Sequence, residues 1–247
     1  MRLFLLLFIC IPFPVLSVSC PQLHWNKTEQ VKLINDGDTI TLENGQRVRF
    51  IGINTPEMNY SDKRKSEPYA VKAKALVQRY IKVGDKVHLV FDKTKYDKYG
   101  RILAYVYSKT GHFLNLLQLQ SGLAKQWVVG KNDRLWQCFQ AAEKKARLGR
   151  KELWSDFSPL KARQLNRSNK GYQYVQGKIS NVIKSKSGLI FFLDRKLKVL
   201  VSAARLKKFT ENNISFHRNS RLILRGKITF SGKNPKMILY HPVQVLP

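Results

Sequence analysis

Thr39-Ile40-Thr41-Leu42-Glu43-Asn44-Gly45-Gln46-Arg47-Val48-Arg49-Phe50-Ile51-Gly52-Ile53 reads as two strands, 39–43 and 46–53, joined by a two-residue hairpin turn at Asn44-Gly45. Its register is the informative part. Val48 and Phe50 alternate with Arg47 and Arg49, so a sheet buried on one side takes the first pair inward and sends Arg49 away from the core. A strand at 31–34 precedes the hairpin, and strands at 86–91 and 101–107 follow it. Between them Ser66 is expected to cap a helix running to about Lys82, with Ala70, Ala73, Leu76, Val77 and Tyr80 as its apolar stripe. A helix at 112–120 stops at Gly122, and a longer one at 133–148 closes at Gly149. Five strands and three helices in this order describe a small barrel with helices packed around it.

Residues 156–170 are polar, with Ser158-Pro159 and the run Asn166-Arg167-Ser168-Asn169-Lys170, and read as a linker. Strand-like runs return at 172–184, 189–194, 198–201, 222–230 and 236–245, with a short helix at 203–209. Five strands with a helix between the third and fourth is the order of an OB-fold, an architecture that commonly binds nucleic acid strands. The expected fold is therefore mainly β with helices: an OB-type barrel at 27–155, a linker at 156–171 and a second OB-like barrel at 172–247. The two halves share only their strand count, and no heptad or solenoid repeat is present. In the second unit Phe191, Phe192, Phe230 and Tyr240 read as core residues. Adjacent Phe191 and Phe192 must face opposite ways, so one of them needs a second environment.

The chain carries 45 Lys and Arg against 16 Asp and Glu, a formal charge of +29, with a pI near 10.2. Such a surface attracts polyanions, nucleic acid first and an anionic membrane second. Charge alone leaves a nuclease, a chromatin-like binder and an antimicrobial protein open. Hydrophobic residues at 43% are enough for ordinary packed cores.

Met1-Arg2, an apolar run over 3–16 and Ser17-Val18-Ser19 read as a signal peptide cleaved after Ser19. The run is shorter than the ~20 residues a spanning helix needs and is broken by Pro12 and Pro14. The expected location is periplasmic or secreted. A lipoprotein anchored through Cys20 is the lesser alternative, because Ser17 stands where an apolar residue belongs. Cys20 falls in a tail, while Cys138 shares a helical stripe with Leu135, Ala142 and Ala146. A buried core thiol is therefore favoured at Cys138 over a disulfide with Cys20, a bridge that export permits without requiring.

Three short stretches carry chemistry: Asp36-Gly37-Asp38-Thr39, Arg49 through Asn54-Thr55-Pro56-Glu57, and Asp97-Lys98-Tyr99-Gly100-Arg101. Phosphodiester hydrolysis needs charge stabilisation at phosphorus, an oriented or deprotonated water and usually a cation. Arg49 and Arg101 present rigid forks of N–H donors that match phosphate oxygens. Glu57 can orient or deprotonate water. Asp38, Asn54 and the Thr55 carbonyl form a hard oxygen set that suits Ca²⁺ better than zinc. Asp36 is read as turn chemistry. His24, His88, His112, His217 and His241 are dispersed without ligand spacing.

On these motifs, together with Phe91-Asp92-Lys93, Leu103-Ala104-Tyr105, Gly122-Leu123-Ala124-Lys125 and Leu153-Trp154, the segment 31–154 resembles the staphylococcal nuclease, or thermonuclease, family. That resemblance covers about half of the chain. It implies an OB-type barrel with added helices and Ca²⁺-dependent, sequence-nonspecific cleavage of DNA and RNA to 3′-phosphate ends. Arg49 and Arg101 would clamp phosphate, Glu57 would act as general base, and Asp38, Asn54 and Thr55 would hold calcium. Lys98 and Tyr99 match residues that contact a substrate phosphate. The chain departs from the family at Asn54, where Asp is usual, and in lacking tyrosines after Gly-Leu-Ala-Lys. Only Trp127 offers a stacking face there, with simple packing as the alternative. The resulting expectation is an exported endonuclease with a C-terminal domain aiding capture of DNA or RNA, single strands preferred. Its rival is an inactive nucleic-acid-binding protein on the same scaffold, and a cationic adhesin leaves the motifs idle.

Overall fold

A computed structural model describes residues 20–247, so the expected signal peptide lies outside the described residues. The first unit contains β1 (Lys27–Ile34), β2 (Thr39–Leu42), β3 (Arg47–Phe50) and β4 (Ile53–Asn54), then α1 (Ala70–Tyr80), β5 (Lys86–Val90), β6 (Ile102–Ser108), α2 (Leu114–Gln120), β7 (Lys125–Gln126) and α3 (Trp136–Leu148). β1, β2, β3, β6 and β5 close into a barrel, β5 returning to β1 and β3 running parallel to β6. The hairpin forms in the expected register: Val48 and Phe50 are buried, Arg47 is exposed and Arg49 is half-buried.

The strand expected over 46–53 is interrupted. β3 ends at Phe50, the chain turns through Ile51-Gly52, and Ile53-Asn54 pairs instead with Lys125-Gln126. Gly52 has φ +79°, and a Cβ there would lie 2.7 Å from the Phe139 ring, so both the turn and the close approach of α3 require glycine. Ser66 does not cap α1: its hydroxyl accepts the Asn59 N–H (3.0 Å), and the helix begins at Ala70. Pro68 accounts for the delay, because it disfavours helical backbone at the residue before it.

Leu160–Lys161 forms β8, followed by β9 (Gly171–Ser185), β10 (Gly188–Leu193), β11 (Leu197–Ser202), α4 (Ala203–Thr210), β12 (Arg221–Ser231), β13 (Asn234–Ile238) and β14 (Val245–Leu246). The strand expected over 236–245 breaks after Ile238, where Pro242 starts a 3-10 turn. β9, β10, β11, β13 and β12 form the second barrel, closed by β12 on β9, with β11 parallel to β13 and α4 between the third and fourth strands. The two barrels therefore share one topology, a closer kinship than a common strand count. The segment expected as a linker is ordered into this unit: β8 pairs with β9, and Ala162 and Leu165 enter the second core. Its polar residues face out while these two face in.

Two further sequence readings need correction. Cys20 and Cys138 form a disulfide, with Cα atoms 5.5 Å apart. The segment around Cys20 is not a loose tail, because Cys20 and Leu23 pack against the first core, which brings the sulfur to α3. Cys138 lies beside the fully buried face of α3 formed by Phe139, Ala142 and Ala146, not within it. Tyr240 is not a core residue either; it is about half exposed. Phe191 is buried against Phe216, whereas Phe192 on the other face of the strand is only partly buried.

The barrels are docked on each other through α3. Arg225 on β12 is buried and donates to Glu143 Oε1 (2.7 Å), Gln126 Oε1 (3.2 Å) and the Val243 carbonyl (2.8 Å). Burial disfavours the Arg225 charge, but Glu143 and two tyrosines outweigh it and hold the group firmly cationic. Around this pair, Gln140 donates to the Val245 carbonyl (3.0 Å), Gln137 to Asn212 (2.8 Å), and Lys208 pairs with Asp133.

Candidate active site

The loop between β1 and β2 supplies the first carboxylates. Asp36 accepts the Asp38 N–H (3.0 Å), the Asx-type turn expected from Asp-Gly-Asp. Gly37 is required by crowding: a Cβ would lie 2.6 Å from that of Ala73 and 2.9 Å from Thr55 Cγ2. Gln118 on α2 ties the loop down, donating to the Gly37 (2.8 Å) and Ala73 (2.7 Å) carbonyls. Asn115, one turn earlier, takes the Val106 N–H and donates to the Ile51 carbonyl (2.8 Å), so α2 also fixes the turn after β3.

Asp38 is buried, and its carboxylate joins the motifs. Oδ2 accepts the Thr55 N–H (2.7 Å) and lies 3.1 Å from Arg49 Nη1, while Oδ1 accepts the Thr39 hydroxyl (3.1 Å). Arg49 in turn donates to the Ile53 carbonyl (3.0 Å) and to Asn54 Oδ1 (2.8 Å). Asp38, Arg49, Asn54 and Thr55 are thus one bonded group. Arg49 here carries the positive charge beside the oxygens expected to hold a cation.

Arg101 enters from the turn before β6, the parallel neighbour of β3. Asp97 builds that turn, accepting the Tyr99 (2.9 Å) and Arg101 (3.0 Å) N–H groups on Oδ1 and Arg101 Nε (2.7 Å) on Oδ2. Arg49 and Arg101 line a single cleft of about 150 Å³ together with Gly52, Asp97 and Trp127. Lys98 and Tyr99 are exposed at its edge, with the ammonium 4.9 Å and the Arg101 guanidinium 5.6 Å from the Tyr99 ring centroid. Trp127 also meets the second barrel, its ring centroid 4.5 Å from that of Tyr172.

Glu57 follows Pro56, and its main chain exchanges hydrogen bonds with Glu67: N–H to Oε2 (3.0 Å) and carbonyl to the Glu67 N–H (3.0 Å). The residue as a whole is exposed, yet local burial of its carboxyl pushes its pKa up, and Asp38 adds to that rise against Arg49 and Arg101. Burial and the Asp38 charge push Asp36 up to about 7. Asp38, Arg49 and Arg101 therefore all act electrostatically on the Glu57 carboxyl.

Sequence reasoning missed Asp97, Glu67, Asn115 and Gln118 as positioning residues and took Asp36 as turn chemistry alone. For the two amides a signal existed, since Asn and Gln on the buried face of an apolar helix need partners.

The donor set fits a hard divalent cation because it is entirely oxygen. Burial, with the Asp38 charge adding to it, raises the neighbouring Asp36 carboxyl. Among the described residues no three His, Cys, Asp or Glu side chains are grouped as a ready-made metal site. An ion would therefore need amide, carbonyl and substrate oxygens besides Asp38.

A family model described as Staphylococcal nuclease homologue matches residues 47–156. A thermonuclease of Staphylococcus hyicus is 32% identical over 133 residues, 53% of this chain and 77% of the relative. That of Staphylococcus intermedius is 34% identical over 127 residues, 50% of this chain and 74% of the relative. The chain belongs to the staphylococcal nuclease family. Endonuclease YhcR of Bacillus subtilis (strain 168) is 28% identical over 140 residues, covering 53% of this chain and 12% of the relative. The expectation of a nuclease-type hydrolase is met at the level of family and enzyme class. The family match runs from β3 to residue 156, so the second barrel lies beyond it.

Proposed function

We propose that the chain is an exported, Ca²⁺-dependent endonuclease that cuts DNA and RNA with little sequence preference, leaves 3′-phosphate ends and favours single strands. The observation that carries this reading is that Arg49 and Arg101 line one cleft, Asp38 pairs with Arg49, and the charges of all three act on the Glu57 carboxyl. Arg49 and Arg101 bind nonbridging phosphate oxygens and oppose the charge that builds at phosphorus. Glu57, its carboxyl pKa pushed up from the ordinary value by burial, orients the attacking water and takes its proton. Lys98 and Tyr99 bind a neighbouring phosphate, and Trp127 offers a face to a base. Asp38, Asn54 and the Thr55 carbonyl would hold calcium, which supplies Lewis-acid neutralisation of a phosphate oxygen.

The second barrel adds polyanion affinity. Lys161, Arg163, Lys178 and Arg221 surround a cavity of about 890 Å³ on it, with Asp194 as the one carboxylate among its lining residues. Docking through Arg225 presents this groove in a fixed relation to the nuclease barrel, without the freedom of a loose tether. The Cys20–Cys138 bridge supports an oxidising, exported setting.

Incubation of the mature protein with single-stranded DNA in calcium, and then in EGTA, tests the enzyme against the binder. Metal-dependent fragments are expected; a mobility shift without fragments would establish the binder. Arg101→Ala should lower kcat/KM about 10²–10³-fold while retaining most binding. Equal loss of both would reduce Arg101 to part of the docking surface.

A further inference from the structure

Between the barrels lies a second cavity of about 390 Å³, separate from the catalytic cleft but sharing Trp127 with it. Its floor is Gln126-Trp127-Val128 of the nuclease barrel, and its walls include Tyr172, Lys227 and Tyr240 of the second. Tyr172 and Tyr240 are among the more exposed aromatic side chains, at 40% and 54%. Exposed rings beside a pocket of this size are available to a ligand, and the volume falls in the ~300–1,000 Å³ range of small-molecule sites. No carboxylate lines the cavity; Lys227 stands at it, and Arg205, outside the lining, lies 4.3 Å from the Tyr240 ring centroid. An aromatic interior under a cationic rim matches a base attached to a phosphate backbone.

The walls are held in place. Gln126 is bonded through its backbone to Glu143 (2.7 Å) and through its side chain to Arg225, so the ion pair that docks the barrels also sets the floor of the cavity. The indole of Trp127 touches Tyr172 on one side and lines the catalytic cleft on the other, so a strand leaving Arg49 and Arg101 passes directly to this pocket. A paired base cannot enter a pocket walled on both sides without leaving its stack.

We propose that this inter-barrel pocket binds one unpaired base of the polynucleotide substrate, flanking the phosphate held in the cleft. The pocket deepens the nuclease reading and rests on it for the path of the strand, but its occupancy can be measured without cleavage. It makes single-strand preference a property of both barrels together.

The test uses the full chain and a thymidine octanucleotide. In EGTA, where cutting is suppressed, fluorescence anisotropy of octanucleotides with one abasic position moved along the strand should show one position where losing the base weakens binding roughly tenfold. Tyr240→Ala, at an exposed ring, should abolish that position-specific effect. In calcium, Tyr240→Ala should lower kcat/KM on the octanucleotide roughly tenfold more than on a dinucleotide. A flat abasic scan, or equal losses on both substrates, overturns the pocket even if the enzyme cuts normally. A position-specific effect in an enzyme that never cuts would keep the pocket and reject the nuclease reading.

Discussion

At Asn54 one atom separates this chain from the usual pattern of its family. The amide keeps an oxygen for a cation, yet here that oxygen accepts from Arg49 (2.8 Å), and the full negative charge is missing. Asn54→Asp should therefore lower the calcium concentration for half-maximal activity, by about two- to tenfold. A calcium titration of cleavage checks this, and an unchanged midpoint would remove position 54 from the metal site. Arg49 was legible in the sequence because strand alternation alone sends it off the core. Its partners were less so: it bonds Asp38 and Asn54 at once across the turn at Gly52, where the approach of Phe139, 87 positions away in the chain, leaves room for glycine alone.

Helix α3 carries more than its apolar stripe suggested. Phe139, Ala142 and Ala146 pack inward as helical spacing predicts, while Cys138 bonds Cys20 and Glu143 meets the second barrel. The disulfide closes a loop with a sequence separation of 118 residues, so it restricts the unfolded chain strongly. Cys138→Ser should cost about 2–4 kcal/mol in urea unfolding. Adding reductant should bring the native chain to the same midpoint and leave the variant unmoved; an unshifted native midpoint would show the bridge does not stabilise the fold. The pairing was hidden because helical periodicity places Cys138 beside the core and says nothing of where residue 20 travels. The late start of α1 was readable in Pro68, whose effect on its predecessor outranks the capping tendency of Ser66.

The two barrels meet across a buried charge pair, and its energetics predict an asymmetry. Glu143→Gln leaves Arg225 charged and buried without its counter-ion, and should destabilise by about 3–5 kcal/mol. Replacing both with Met and Leu should recover most of that loss, measured by chemical denaturation; equal damage from single and double changes would reject the pair as the anchor. Asp133, at the edge of the same contact, links stability to pH. Burial alone would raise its carboxyl, but hydrogen bonds from Lys208 and Lys93 outweigh this and hold it at about 2, below its ordinary 3.8. A depressed carboxyl stabilises the fold above its unfolded pKa and loses that contribution as pH falls through the folded one. The native protein should thus lose about 1–2 kcal/mol more than Asp133→Asn between about pH 4 and 2, discounted because both lysines are partly exposed. Parallel acid-denaturation curves would exclude this contribution.

Strand alternation, turn residues and the order of elements were enough to specify two OB-type barrels, because these signals are local and repeat within a few residues; the residue types of three short motifs, with the family resemblance, brought Asp38, Arg49, Glu57 and Arg101 forward as the expected reactive set. The common topology of the barrels, the Cys20–Cys138 bridge, the seating of 156–170 in the second core and the pocket at Trp127 and Tyr240 were decided only in the folded chain. Each depends on which distant surfaces meet, and the free energy of that meeting lies in buried contacts and paired charges between residues that no local pattern connects.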